Sequence, residues 1–286
     1  MKQKKRSSRV IKTLVPVALV LLVIAAFVVN AVTVTPPTVP EGTAQVHFID
    51  VGQGDCELIR TADANILIDA GPTDKRYSAA DYVRRSAGHL DLVILTHPHE
   101  DHIGGAAEVI RAVGADKVMM TDETSDEACF ARLREAVADI PVIRPERGQI
   151  ISFGKLKLTV LSAGTDSGDE NDMSIVVRMD YGDTSFLFTG DAGEDAEGEL
   201  LKSPGMLDCD VLKAGHHGSA SSTTADFVRA VTPQIAVIEA GKDNAFGHPA
   251  KATLDRLSEA KIYRTDRDGT VILTTNGNSI KVFEDS

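Results

Sequence analysis

The chain has 286 residues, 43% of them hydrophobic and 25% charged, enough for one large domain or two small ones around a substantial core. Aromatic residues make up 5% and tryptophan is absent, which argues against a broad platform for stacking nucleic-acid bases. The formal net charge of −12 opposes polyanionic partners unless metal ions or a local basic patch offset it.

The charge is unevenly placed. Lys2, Lys4, Lys5, Arg6, Arg9 and Lys12 all precede the first long apolar run, and no acid precedes Glu41, so the body is more acidic than the whole. From Leu14 to Ala31 the chain is apolar apart from Asn30, with one proline at Pro16. That length is near the minimum for crossing a bilayer as a helix. Residues 1–34 are expected to be a basic head with an N-terminal hydrophobic anchor helix, or a signal peptide cleaved near Val29-Asn30-Ala31. The basic head stays in the cytoplasm, so the body is expected outside, tethered to the cell membrane by a single pass or secreted. Pro36, Pro37 and Pro40 make 35–43 an extended linker, and 44–286 reads as one catalytic domain.

In that domain, short apolar runs alternate with helical periodicity. Strands are expected at Gln45–Val51, Asp55–Arg60 and Asn65–Ile68, a helix at Ser78–Ala87, and a buried strand at Leu92–Leu95. Ile103–Val113 reads as a helix, Lys117–Met120 as a strand, and Asp126–Ala138 as a helix. Strands follow at Leu156–Leu161, Ser174–Met179 and Thr184–Phe188. The last third alternates: helix Glu194–Leu201, strand Val211–Lys213, helix Thr223–Val231, strand Ile235–Ile238, helix Lys251–Glu259, then strands Val271–Thr275 and Ser279–Val282. Two runs of strands with helices between and after imply an α/β (α+β) fold of two face-to-face sheets with helices outside. The acidic runs Glu123–Glu127 and Glu194–Glu199 read as solvated helix faces. Cys56, Cys129 and Cys209 match no zinc knuckle or redox pair and read as buried small hydrophobes.

The chemistry concentrates after Leu92–Leu95. His97, His99, Asp101 and His102 follow within six positions, and these are ligand types that Zn2+, Mn2+ or Fe accept. His97 and His99 alternate and can point the same way, while Asp101 and His102 lie one turn further on and can face a second ion. Gly104 and Gly105 let the backbone crowd that site. The bland alternative is a polar turn that caps a helix.

The run His97-Pro98-His99-Glu100-Asp101-His102 resembles the metal-binding motif of the metallo-β-lactamase superfamily, and the resemblance extends over nearly all of residues 44–283. It implies a four-layer αββα sandwich and two divalent metal ions, Zn2+ first and Mn2+ as the alternative. His97 and His99 would serve one metal, and Asp101 and His102 the other. Asn65 to Gly71 resembles the early strand whose Asp, here Asp69, supports the metals from behind. Phe186 to Asp191 resembles the strand whose final Asp, here Asp191, bridges them. Val211 to Ser219 resembles the strand whose Gly-His supplies the last ligand. That alignment makes His216 the ligand and turns His217 toward substrate, with the exchange of the two left open. His47 to Asp55, Asn171 to Val177, His216 to Ser219 and Gly247-His248-Pro249 resemble more closely the lactamase-like domain of the ComEC-type DNA-uptake proteins.

One departure matters: no histidine lies between the first cluster and Asp191. The first metal is then short of a ligand, open to substrate, or completed by Asn171 or Asp172. The residues expected to touch substrate are Asn171, Lys213 and Ser219, and Lys213 has the alternative of solvating a strand end. Asp101, His217 and His248 are expected to be catalytic, and His248 has the alternative of a helix-entry residue before Pro249. Asp50 and Asp55 are expected to order the loop under the metals, with ordinary turn carboxylates as the alternative.

The resemblance implies a metal-dependent hydrolase, with a phosphodiester favoured and DNA or another nucleic acid as the family's substrate. Smaller phosphodiesters suffer less from the negative body. A lactone, thioester or β-lactam hydrolase would use the same residues, and a non-catalytic extracellular metal-binding module is the third reading. No protein partner follows from the sequence.

Overall fold

The strands pair into two sheets because most of them are apolar on both faces, so each must be covered twice. The computed structural model describes residues 35–122, 124–165 and 168–283. One sheet runs β15 (Ile280–Phe283), β14 (Val271–Thr275), β1 (Ala44–Phe48), β2 (Glu57–Thr61), β3 (Asn65–Ile68), β4 (Leu92–Ile94), β5 (Val118–Met119), β6 (Val142–Ile143). It is antiparallel as far as β3 and parallel from β3 to β6. The other runs β13 (Lys261–Arg264), β12 (Ile235–Ile238), β11 (Val211–Lys213), β10 (Thr184–Phe188), β9 (Ile175–Tyr181), β8 (Leu156–Ala163), β7 (Ile150–Phe153). Here β10 to β13 are parallel and β7 to β10 antiparallel.

The two-residue side-chain period of a strand sorts the core into layers. Ile66 and Ile68 of β3, Leu92 and Ile94 of β4, and Phe186 and Phe188 of β10 point into the space between the sheets. Phe48 and Phe188 stack across it with ring centroids 6.1 Å apart. The intervening residues face outward: Leu67 and Val93 lie under helices on one side, Leu187 and Leu212 on the other. The first outer layer comprises α1 (Arg76–Ser86), the single-turn α2 (Glu100–Ile103), α3 (Ala106–Val113) and α4 (Ala128–Ala136). The second comprises α5 (Glu194–Leu201), α6 (Ala225–Val231) and α7 (Lys251–Arg256), with the one-turn α8 (Thr265–Asp268) after β13. The expected four-layer arrangement of two sheets between helices is what forms.

Most expected elements appear within a few residues of their predicted bounds. The helix expected over Ile103–Val113 is instead broken in two. A Cβ on Gly105 would lie 2.2 Å from the Ala70 carbonyl oxygen, so the backbone must turn there without a side chain. The strands β6, β7 and β13 were not expected. The anchor or signal segment expected over 1–34 falls outside the described residues, and among the described residues no helix is long and apolar enough to cross a membrane. In the expected linker, Val39 is buried and Arg60 donates to the Pro37 carbonyl, so Pro37 and Val39 lie against the domain. Glu197 departs from its expected solvated run: it is buried, and its carboxylate accepts from the amides of Thr223 and Thr224. The three cysteines are free and buried, as expected.

The layering brings the carboxyl ends of β3, β4, β10 and β11 to one edge. The two sheets are joined there by the Ile175 amide donating to the Thr96 carbonyl at 3.0 Å.

Candidate metal centre

Each histidine of the first cluster has one ring nitrogen occupied from behind, which fixes the direction of the other. The Thr96 hydroxyl donates to Asp69 Oδ2 at 2.6 Å, so its oxygen is free to accept from His97 Nδ1 at 3.1 Å. His102 Nδ1 donates to the same Asp69 oxygen at 2.7 Å. His99 Nε2 donates to Glu170 Oε2 at 2.9 Å. His217 Nδ1 donates to the Glu239 backbone oxygen at 3.0 Å, with Asp55 Oδ1 3.1 Å from the same nitrogen. The remaining nitrogens, Nε2 of His97, His102 and His217 and Nδ1 of His99, are turned toward one another and toward Asp101 and Asp191. Outer hydrogen bonds that choose the imidazole tautomer in this way are the usual support of metal-binding histidines.

The distances are short throughout. His97 Nε2 and His99 Nδ1 are 3.0 Å apart. His102 Nε2 stands 3.2 Å from Asp191 Oδ1, both are buried, and neither makes a hydrogen bond among the described residues. His217 Nε2 lies 3.1 Å from Asp101 Oδ2 and 3.5 Å from Asp191 Oδ2. The ligand atoms of His97, His102 and Asp191 all fall within 4.8 Å of one another, and so do those of Asp101, His102 and His217. Two orphaned atoms aimed at each other, ringed by lone pairs and carboxylates, suit a cation far better than an apolar void. The residues present therefore fit the metal ions that the motif implies.

Electrostatics point the same way. Burial alone would push His217 down, but Asp191, Asp55 and Asp101 carry it up to about 10. His102 is likewise raised against its own burial by Asp191, Asp69 and Asp101. Asp191 is held well below its ordinary value, because His217 and His102 outweigh the effect of burial. His97 is pushed well below its usual value by burial and by His102, and stays neutral. Without metal the carboxylates hold protons on two imidazoles, which are the positions a divalent cation would take over.

The turn that carries His216 and His217 is strained. Both residues have positive φ, 47° and 53°. Such backbone costs of order 1–3 kcal/mol per residue and persists only where the surroundings enforce it. The His216 amide donates to Gly190 at 3.1 Å and the Gly215 amide to Thr223 Oγ1 at 3.0 Å. Glu197 holds the far side of this loop. Gly218 follows with φ of 81°, where a Cβ would come within 2.6 Å of Pro249.

This turn reverses the expected order of the pair. His217 is buried in the floor with both nitrogens engaged, whereas His216 is partly exposed and its Nε2 is 3.6 Å from Asp191 Oδ2. The geometry therefore puts His217 among the metal-facing groups and His216 on the cleft side. Lys213 also departs from expectation. It is fully buried, ion-pairs with Asp55, and donates to the Gly190 carbonyl at 3.3 Å, so no substrate reaches it. Burial would lower its pKa, but Asp55 and Asp191 hold it above its ordinary value. Asp50 is exposed and only closes a turn onto the Gly52 amide at 3.0 Å. Asp55 is fully buried between Lys213 and His217.

Asp172 Oδ1 accepts from the Gly193 amide at 2.8 Å, and Asn171 Nδ2 donates to Asp169 Oδ1 at 2.9 Å while Asn171 Oδ1 is buried without a hydrogen bond among the described residues. Ser219 is nearly buried and its hydroxyl pairs with that of Ser221 at 3.0 Å, away from the centre. His248 does reach the site, with its ring 5.6 Å from that of His216. Glu170 and Glu239 were missed. Their signal is weak, since a lone exposed Glu and a Glu after an apolar strand carry no spacing pattern. Glu239 lies fully buried beside Glu57, and burial followed by the charge of Asp55 raises it to about 8.

Fold and site together define a metal-dependent hydrolase of the kind built from two sheets between helices. The Metallo-beta-lactamase superfamily model matches residues 49–241, and the chain belongs to that superfamily. It is 31% identical to ComE operon protein 3 of Bacillus subtilis over 79% of this chain and 32% of that protein. It is also 31% identical to competence protein ComA of Neisseria gonorrhoeae, over 87% of this chain and 34% of that one. The chain thus spans about a third of the length of these relatives. Among solved structures it is similar to the metallo-beta-lactamase fold protein YhfI of Bacillus subtilis, with a TM-score of 0.53 at 15% identity, covering 82% of this chain and 99% of that one.

Proposed function

We propose that the chain is a phosphodiesterase that acts outside the cytoplasmic membrane. The observation that carries the hydrolytic part is the convergence of ring nitrogens of His97, His102 and His217 on Asp191, with His102 Nε2 and Asp191 Oδ1 both buried and without a hydrogen bond among the described residues. The phosphodiester part rests on the likeness to competence proteins over nearly the whole domain. The extracellular part rests on the basic head and apolar run before Asn30.

His97, His99 and Asp191 would hold one cation, and Asp101, His102, His217 and Asp191 the second. Zn2+ suits this nitrogen-rich set, and Mn2+ is the alternative. Divalent cations there supply Lewis acidity and a nucleophile near neutral pH. The chain's own groups do the rest. Asp101 orients the attacking oxygen, which bonds to phosphorus as the bond to the leaving oxygen breaks. His248 and His216, both on the cleft side, stand where a ring N–H can hydrogen-bond to that leaving oxygen, which takes its proton from water. Burial and the neighbouring imidazoles lower His248, so it is neutral at pH 7 and steadies the departing oxygen by a hydrogen bond from its ring N–H rather than by giving up the proton.

The test is metal analysis of the full chain, followed by assay of bis(p-nitrophenyl) phosphate and single-stranded DNA with Zn2+ or Mn2+, with and without chelator. Metal-dependent turnover of either ester is expected. Cleavage of a lactone or β-lactam with no phosphodiester turnover would overturn the reading. Bound metal without any turnover would leave a binding module.

A further inference from the structure

Beside the centre lies a cavity of about 420 Å3 that the chemistry above does not use. That volume lies within the range of small-molecule sites. Its lining includes Val51, Pro72, Lys75 and Phe246, and it shares His99 and Asp101 with the centre. Phe246 is 69% exposed, an unusual position for one of only nine phenylalanines. One side of its ring stacks on His248, with centroids 5.7 Å apart and planes 25° apart. The loop that carries both rings is braced: Asn244 Oδ1 accepts from the amides of Phe246 and His248, and Asn244 Nδ2 donates to the His248 carbonyl. The Gly241 amide ties the same loop to Gln53 at 2.9 Å. The ring is therefore presented on a fixed support.

Lys75 faces it. Its stem passes close to Gly52, where a Cβ would sit 3.5 Å from Lys75 Cε, and it forms no ion pair among the described residues. The carboxylates along the cavity are mostly engaged. Glu100 accepts from the Thr73 amide at 2.6 Å and Glu127 from the Cys129 thiol at 3.3 Å. Asp74 remains, and its charge disfavours a second phosphate. A slot with one exposed aromatic face, the apolar Val51 and Pro72, one free ammonium and several carboxylates along it suits a flat ring attached to a single phosphate.

Resting on the phosphodiesterase reading, we infer that this cavity is the subsite for an aromatic substituent on the non-leaving side of the phosphodiester. Phe246 stacks on that ring and Lys75 stands against the ester oxygens. A nucleoside is a ring of this class, and the scarcity of aromatics elsewhere fits one stacked ring rather than a track of them.

The experiment compares bis(p-nitrophenyl) phosphate with methyl p-nitrophenyl phosphate on the metal-loaded full chain. The leaving group is the same, so only the retained substituent differs. The wild type is expected to show a KM about tenfold lower for the diaryl ester, and Phe246→Ala to erase that ratio, while Phe246→Tyr keeps it; a change in kcat common to both esters leaves the comparison intact. In parallel, calorimetry of phenylphosphonate against methylphosphonate reads the subsite without turnover. A preference for the phenyl compound that is lost in Phe246→Ala supports the subsite even if neither ester is cleaved, in which case the phosphodiesterase reading alone falls. An unchanged aryl preference in Phe246→Ala, in either measurement, overturns the inference.

Discussion

The floor and the mouth of this site are built on opposite principles. The floor consists of Asp55, Asp69, His97, Asp191, His102, Lys213 and His217, all at most about 2% exposed and most of them set at strand ends or in the tight turns that follow them. The mouth consists of His216, Phe246 and His248, in turns and loops and partly or largely open to solvent. Three carboxylates there face one lysine, and in the metal-free chain protons on His102 and His217 make up the difference, the place that metal ions would take. The mouth supplies rings and few fixed charges, so it can choose among substrates without disturbing the centre. Loops carried on a rigid scaffold commonly divide labour in this way.

The sharpest way to break this comparison is to cross it at adjacent residues. His217→Ala should remove a floor ligand, lowering affinity for the second metal by at least about a hundredfold and the stoichiometry from two toward one. His216→Ala should keep both metals and lower turnover only. Equal metal loss in both variants, read by elemental analysis after dialysis, would dissolve the distinction.

Lys213→Met tests the floor from beneath. It leaves Asp55 buried without its cation, and removing one partner of a buried pair costs about 3–5 kcal/mol. Thermal unfolding of the metal-free chain should show the loss, and adding Asp55→Asn should recover part of it. A loss near zero would mean that Asp55 holds a proton there.

The floor was largely legible in the sequence because its residues follow apolar strands at fixed offsets. Asp69 closes Asn65–Ile68, His97 follows Leu92–Leu95, and Asp191 follows Thr184–Phe188. Two things were not legible. The order of His216 and His217 depends on a turn with two successive positive φ values, and no residue type in the run announces that conformation. The fate of Lys213 depends on Asp55, 158 positions away in the chain but its ion-pair partner in space. In the fold, β7 and β13 are short, polar-flanked edge strands, and β6 has only two residues, so their patterns hold too few positions to show a period. The glycine break in the helix after His102 is set by the approach of Ala70, a contact that only the packing reveals.

A smaller effect should separate floor from mouth by pH. In the metal-free protein His217 keeps its proton up to about 10, so binding the second cation must expel it. Apparent metal affinity should therefore rise with pH, by about tenfold per unit for each proton displaced, between roughly pH 7 and 9. The stability of the metal-free chain should run the other way. The raised value of His217 stabilises the fold fully below its ordinary 6.5, and that stabilisation is lost as pH climbs through about 10. His216→Ala should leave both slopes intact, since burial holds that ring low and neutral across the range. Metal titrations and thermal melts at stepped pH would read the two slopes, and slopes of the same sign would mean that His217 is not the group displaced.

The smallest expected effect is at Asp50, and its value lies in being small. Asp50 and Asp55 stand five positions apart in one glycine-rich loop and look interchangeable as sequence. Asp50 faces solvent and closes a turn onto Gly52, while Asp55 is sealed between a lysine and a histidine. Asp50→Ala should then change stability by no more than about 0.5 kcal/mol, as for an ordinary surface site, and leave metal content untouched. Asp55→Ala should release His217 and strand Lys213 as a buried, unpaired cation, lowering both stability and metal content. If Asp50→Ala alone lowered metal occupancy, the loop would be reaching the centre through Gly52 and Gln53, and the boundary between floor and mouth would have to be drawn further out.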